Sequence, residues 1–223
     1  MSTETAPTPY ARHLGIFDPH KYNLSASVVG CGAIGSFVSM GLAKMGIVRQ
    51  DLFDFDKVEL ENLPVQMHKK ESCGTNKAEA TKDLLKEVCA EKVDVDVFGR
   101  WDESFSLETD IIVSAVDSLE VRKEIWEVVR LNPSHSLLVD ARIGGQGIKI
   151  YAIDPMNTDD AQIYDRSLEC LKGSELPCTE RGVIDVSLFA SALLIRAVRR
   201  WTVKHEKETY RIFDLGSKIN SML

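Results

Sequence analysis

Nine residues between Gly30 and Asp117 have the types and spacing to handle a nucleotide. Gly30-x-Gly32-x-x-Gly35 follows a short apolar run. Such a turn lets a phosphate approach the backbone, and the helix that follows offers free N–H groups to an anion. Asp54 stands nineteen residues past Gly35, where a carboxylate can take ribose hydroxyls. Asp56 shares its face by strand alternation, and Asn62 and Gln66 follow near the strand's carboxyl end. Lys77 opens the next amphipathic run, a poor place for a cation unless an anion sits there. Asp117 ends a buried apolar run, where it can hold Mg²⁺ beside phosphates or cap the next helix. The glycine turn and Asp54 alone fit NAD as well as ATP. Lys77, Asn62 and Asp117 have a shared task only around a triphosphate.

The elements that must position these groups follow from the apolar pattern. Strands are expected at Ser27–Gly30, Asp51–Phe55, Val93–Phe98, Asp110–Val116, Leu137–Ala141 and Gly147–Ile153. Helices are expected at Ala33–Met45, Asn76–Cys89, Leu119–Leu131 and Ile184–Val203. This alternation implies an α/β, Rossmann-like, mostly parallel sheet with helices on both faces. Asp154–Arg181 reads as a long irregular crossover before the last helix. The 223 residues suit a single domain over 1–223, with the Ser/Thr/Pro-rich residues 1–8 loose.

Composition excludes other classes. The net charge of −7 speaks against nucleic acid or an anionic membrane as partner. No apolar run is long enough to span a bilayer, and the N-terminus has no signal pattern. The five cysteines, Cys31, Cys73, Cys89, Cys170 and Cys178, form no CxxC pair, so neither a disulfide framework nor a zinc site is read, and the reducing cytoplasm is the expected location.

Taken together, these motifs resemble the ThiF/MoeB/HesA adenylyltransferases and the adenylation domains of ubiquitin-activating enzymes. The resemblance runs from about Tyr10 to Trp201. It is carried by Tyr10-Ala11-Arg12-His13, the Gly30–Gly35 loop, Asp54-Phe55-Asp56-Lys57-Val58 with Asn62-Leu63, Gly74-Thr75-Asn76-Lys77-Ala78, and Asp117-Ser118 with Arg122. It implies that Asp54 binds the ribose of ATP, that Lys77 and Asn62 bind phosphates, and that Asp117 holds Mg²⁺. It also implies a homodimer in which Arg12 reaches the other subunit's nucleotide. The substrate would be a small ubiquitin-like or sulfur-carrier protein with a C-terminal glycine. The branch would be a small, zinc-free one.

Two residues depart from the family pattern. Val65 stands where an arginine is usual, and Ser118 replaces an asparagine. Arg142, in Asp140-Ala141-Arg142, is the candidate replacement cation. Cys178, with Arg181 three residues on, matches the cysteine that accepts the activated acyl group in many relatives, with Cys170 as the weaker candidate. The rival readings are an NAD(P)-dependent oxidoreductase and a degenerate subunit that binds a ubiquitin-like protein without activating it.

Overall fold

The computed structural model describes residues 8–144, 146–169 and 183–215. Seven strands form one sheet in the order β3-β2-β1-β4-β5-β6-β7. They are β1 (Ser25–Val29), β2 (Arg49–Phe53), β3 (Asp94–Phe98), β4 (Ile111–Ser114), β5 (Leu137–Gly144), β6 (Gly147–Ile153) and β7 (Tyr210–Asp214). The first five run parallel, and β6 and β7 are antiparallel additions. The helices are α1 (Pro19–Tyr22), α2 (Gly35–Met45), α3 (Lys77–Val88), α4 (Leu119–Val129), α5 (Thr158–Glu169) and α6 (Ile184–Lys204).

Both faces of the central strands are buried, so their sequences are apolar on both sides rather than alternating. On one face Val28, Leu52 and Val113 pack with Val38 and Leu42 of α2, Leu85 of α3 and Leu194 of α6. On the other, Val29, Ile112 and Leu138 pack with Ile125 and Trp126 of α4 and Tyr164 of α5. The Rossmann-like, mostly parallel sheet with helices on both faces expected from sequence is therefore the architecture observed. One expectation fails within Asp154–Arg181. Thr158–Glu169 is the helix α5, begun by Asn157, whose Oδ1 accepts from the N–H groups of Asp159 and Asp160. Residues 170–182 of that stretch, with Cys170, Cys178 and Arg181, lie outside the described residues, as do residues 1–7.

Chain order reverses direction between β1 and β4, and the crevice where open α/β sheets take ligands lies there. The glycine turn sits in it, and its glycines are demanded by contact. Gly30 has φ +93°, and a Cβ there would lie 2.6 Å from the Ala115 carbonyl oxygen. A Cβ on Gly35 would lie 1.8 Å from the Gly30 carbonyl oxygen. Gly32 is different: only the Gln66 amide nitrogen comes within 4 Å of its Cβ position, at 3.8 Å. The outer two glycines thus close the turn, and the middle one leaves an open approach to the backbone. Gly35→Ala should cost more than about 3 kcal/mol because backbone must move. Gly32→Ala should cost under about 1 kcal/mol. Urea unfolding of the two variants checks the contrast, and equal losses would contradict it.

Candidate functional site

The start of α2 carries no side-chain cap, and in its first turn the Ser36 N–H donates to the Gly32 carbonyl at 3.2 Å. Asp54 lies just past β2 and not within it, as the sequence reading had placed it. Its Oδ2 accepts from the Cys31 N–H at 2.7 Å and its Oδ1 from the Asp56 N–H at 2.8 Å. The relation between Asp54 and Asp56 is therefore a tight turn and not a shared strand face. Burial raises the Asp54 carboxyl, with the two N–H groups and Lys77 acting against it. Each carboxylate oxygen keeps an acceptor position for a polyhydroxyl ligand.

Lys77 is 8% exposed, and its Nζ pairs with Asp56 Oδ2 at 2.9 Å. This carboxylate is the anion that a lysine at a helix start requires. Asn76 fixes the arrangement. Its Oδ1 caps α3 by accepting from Ala78 and Glu79, while its Nδ2 donates to the Asp54 carbonyl at 2.8 Å. An Asn ahead of a helix reads as a cap from sequence. Its second task, tying α3 to the end of β2, carries no sequence signal.

Gln66 joins the same group from the other side. Its amide meets His68 Nδ1 at 3.0 Å, His68 Nε2 meets Thr81 Oγ1 at 3.0 Å, and Thr81 Oγ1 donates to the Lys77 carbonyl at 2.8 Å. Contacts thus run in sequence along the crevice through Cys31, Asp54, Asp56, Lys77, Thr81, His68 and Gln66. His68 and Thr81 belong to this run but not to the sequence-based site. Burial and the Lys77 charge lower the His68 imidazole to about 4, which favours its neutral form.

Other expected members stand apart. The Asn62 amide bonds Glu59 Oε2 at 3.3 Å, in the 3-10 turn Leu60–Val65. Asp117 is exposed in the loop from β4 to α4. Ser118, and not Asp117, caps α4, its Oγ accepting from the Val121 N–H at 3.2 Å. Among the described residues no three His, Cys, Asp or Glu side chains group to hold a metal.

Arg142 is not a replacement phosphate cation. Its Nε pairs with the fully buried Asp140 at 2.8 Å, and its other nitrogens donate to the carbonyl and hydroxyl of Ser167. Its guanidinium lies 4.6 Å from the Tyr151 ring centroid. Arg122 takes the other Asp140 oxygen at 2.9 Å, and the Tyr164 hydroxyl donates to Asp140 at 3.0 Å. Burial alone would raise the Asp140 carboxyl, but Arg122 and Arg142 outweigh it and hold it below the ordinary range. Removing one partner from such a buried set strands the others, so the set is structural.

Arg12 is exposed, two residues after Tyr10. Tyr10, 5% exposed, packs at Gly46, where α2 ends, and its hydroxyl donates to Glu91 at 3.1 Å. The eleven residues of α2 separate that point from the glycine turn by about 16 Å. Of the described cysteines, Cys31 is buried, Cys89 half-buried and Cys73 exposed. No helix among the described residues is long and apolar enough to cross a membrane.

Comparison with known proteins agrees with this fold. The crystal structure of E. coli MccB with ATP superposes with a TM-score of 0.70 at 21% identity, over 93% of this chain and 67% of that one. The E. coli MccB structure with MccA-N7isoASN gives 0.71 at 21%, over 91% and 66%. In sequence, the chain is 33% identical over 150 residues to the adenylyltransferase and sulfurtransferase MOCS3-1 of Zea mays, covering 62% of this chain and 32% of that protein. It is 32% identical over 116 residues to ubiquitin-like modifier-activating enzyme 5 of Caenorhabditis briggsae, covering 45% and 27%. The chain thus spans about a third or less of the length of these curated relatives. The ThiF family pattern matches residues 20–214, nearly the whole of the sheet and its helices, and the chain belongs to the ThiF family.

Proposed function

We propose that the protein adenylates the C-terminal carboxylate of a small ubiquitin-like or sulfur-carrier protein, using Mg·ATP. The observation that carries this reading is the run of contacts that joins the glycine turn to the start of α3. It sets a ribose-type acceptor, Asp54, and a buried cation, Lys77, beside a helix start that has no side-chain cap. A dinucleotide site would have no use for a buried lysine next to the ribose acid. That MccB has been crystallised with ATP and with MccA supports the reading.

In this reaction the carrier's carboxylate oxygen forms a bond to the α-phosphorus. The bond from that phosphorus to the bridging oxygen of the β-phosphate breaks, and pyrophosphate leaves with the electron pair. The attacking carboxylate is already ionised, so no side chain acts as base. Asp54 orients the ribose through its free acceptor positions. Lys77 leaves Asp56 to neutralise phosphate charge, and the N–H groups at the start of α2 face the phosphates. Gln66 donates beside Gly32, and Asn62 turns from Glu59 toward the same phosphates. Asp117 would hold Mg²⁺, which screens the triphosphate charge. Arg12, anchored at the opposite end of α2, serves a second copy of the chain, so the working unit is a homodimer. The Cys178 thiolate then bonds the carrier's carbonyl carbon and AMP leaves with the electron pair, which gives a thioester in the reducing cytoplasm.

A second reading has its own support. With Val65 uncharged and Arg142 committed to Asp140, Lys77 carries the phosphate charge without the usual arginine. A subunit that binds a ubiquitin-like protein without activating it would tolerate that loss.

Three results decide between these readings. Calorimetry should show Mg·ATP binding more tightly than NAD, and ATP–pyrophosphate exchange should start when ubiquitin-like proteins ending in Gly-Gly are added. Lys77→Ala and Asp117→Ala should each lower exchange about a hundredfold or more with unchanged far-UV circular dichroism. Micromolar NAD binding with no ATP binding would sink the adenylation reading, and ATP binding without exchange would favour the binding subunit. In a mixture of Arg12→Ala and Lys77→Ala proteins, random pairing places one intact site in half of the dimers. Exchange should therefore return to about a quarter of the unmutated rate, and no recovery would remove Arg12 from the partner's site. Finally, Cys178→Ala in a Cys73→Ser background should still release pyrophosphate but form no reducible carrier adduct. The background is needed because the Cys73 thiol is exposed. An adduct that persists would exclude Cys178 as the acceptor.

A further inference from the structure

An arginine can serve a second copy of the chain only if its own arm brings it to one place. The turn around Arg12 is built to do that. The His13 N–H donates to the Tyr10 carbonyl at 2.9 Å and closes a tight turn over Tyr10–His13. The rings at its two ends stack on each other, with centroids 5.2 Å apart and planes 15° apart. Ala11 and Arg12 take the two corners and are exposed. Among the described residues Arg12 has no hydrogen bond or ion pair. A second turn follows, in which the Ile16 and Phe17 N–H groups both donate to the His13 carbonyl at 2.8 Å. Phe17 is buried and stacks on Tyr22. The arm is thus pinned at Tyr10 and Phe17, and Arg12 lies on the exposed stretch between the pins.

Tyr10 is the pin nearer the cation. Its ring is 5% exposed and lies against Gly46, the residue that ends α2. Gly46 has φ +99°, and a Cβ there would lie 3.1 Å from Tyr10 Cζ. His20 meets the same ring edge to face, with centroids 5.7 Å apart. The hydroxyl donates to Glu91, in the loop between α3 and β3, at 3.1 Å. Burial and Glu91 raise that hydroxyl to about 12, so it stays a donor through the neutral range. One side chain thus ties the arm both to the end of α2 and to the loop after α3.

Two routes lead from this contact to a nucleotide. Along α2, a lost Tyr10 ring would disturb the glycine turn of the same chain. Through the arm, it would disturb only the point at which Arg12 arrives on the other chain. The first route is well damped, because Val38 and Leu42 seat α2 in the core and the Gly30–Gly35 approach fixes its far end. On the second route, a single residue separates the Tyr10 pin from the cation.

We propose that Tyr10 is a positioning residue for the second subunit's site: it fixes the turn that presents Arg12 to the other chain's nucleotide, and it has no part in the site of its own chain. The inference rests on the reading in which Arg12 serves a second copy, and it names the side chain that makes the reach reproducible.

Pairs of variants, co-expressed so that dimers form at random, test it with Mg·ATP as the probe. Tyr10→Ala alone should bind Mg·ATP about tenfold more weakly, as Arg12→Ala should. Tyr10→Phe keeps the ring contacts and loses only the bond to Glu91, so it should stay within about threefold. In the pair Tyr10→Ala with Lys77→Ala, each hybrid dimer holds one site with its own Lys77 and a well-held Arg12 from the other chain. Calorimetry should find tight binding restored in about a quarter of all sites. The pair Tyr10→Ala with Arg12→Ala should restore none, because every site then receives a faulty arm. If Tyr10 served its own chain's site, the two outcomes would be exchanged, and that exchange overturns the proposal. Should Tyr10→Ala fail to fold, Tyr10→Leu fills most of the space beside Gly46 and carries the same test. The pair Arg12→Ala with Lys77→Ala is the control. Tight sites in the control but not in Tyr10→Ala with Lys77→Ala overturn this proposal alone. No tight sites in the control remove Arg12 from the other chain's site, and no ATP-binding heat in the unmutated protein overturns the adenylation reading; either result takes this proposal with it.

Discussion

The contact between the Gly30 carbonyl and the start of α2 sets the geometry of everything around it. With only hydrogen at Gly35, the first turn of the helix can sit directly on the end of β1. With only hydrogen at Gly30, and a positive φ, the same strand can pass under the Ala115 carbonyl of the neighbouring crossover. Two close approaches at one end of one strand pin β1, β4 and α2 together where the sheet's connections diverge. The Cys31 N–H is left pointing at Asp54, and Asp54 in turn shapes the loop that presents Asp56.

From that point the site is held mostly by backbone rather than by side chains meeting side chains. Asn76 bonds two backbone carbonyls past β2 and two N–H groups of α3. The antiparallel bridge between Lys57 and Asn76, with the Val58 and Gly74 backbone bonds beside it, closes the intervening loop. Lys77 therefore enters the crevice with its main chain already bonded to Asp56. Little remains to be ordered except the lysine side chain and the Gln66 amide, which limits the entropy that a ligand must overcome.

Much of this could be read from the residues, and the limits of that reading have physical causes. The strands were legible because burial on both faces gives unbroken apolar runs, as in Ile111–Ser114. The glycine turn was legible because its steric demands exclude other residues. Helix α5 was missed although Ala161, Tyr164 and Leu168 have helical spacing, because the acidic and polar residues between them make the window look like a loop. Strand β7 is an exposed edge with one apolar residue partly buried, and it has no periodicity to find. Arg142 was offered as a free cation because nothing in Asp140-Ala141-Arg142 shows that α4 and α5 deliver Arg122, Tyr164 and Ser167 to the same point. His68 was missed for the same reason: its partners Gln66 and Thr81 are ordinary polar residues until the fold sets them on either side of an imidazole.

One packing detail bears on how the chain acquires this site. Gly41, midway along α2, lies under Ile195 of α6, where a Cβ would come within 2.2 Å of the isoleucine Cδ1, and the Ser191 hydroxyl of α6 donates to the Ile34 carbonyl at 3.3 Å. The helix that begins at the glycine turn is thus seated by a segment more than 150 residues later in the sequence. Such non-local contacts raise contact order and delay completion of the native packing. During vectorial synthesis the central strands can pair early, but the α2 layer has to wait for α6 to leave the ribosome. Nucleotide-binding competence would then arise late and all at once, and a chain interrupted before α6 would leave β5 and β6 uncovered on the face that α6 packs against.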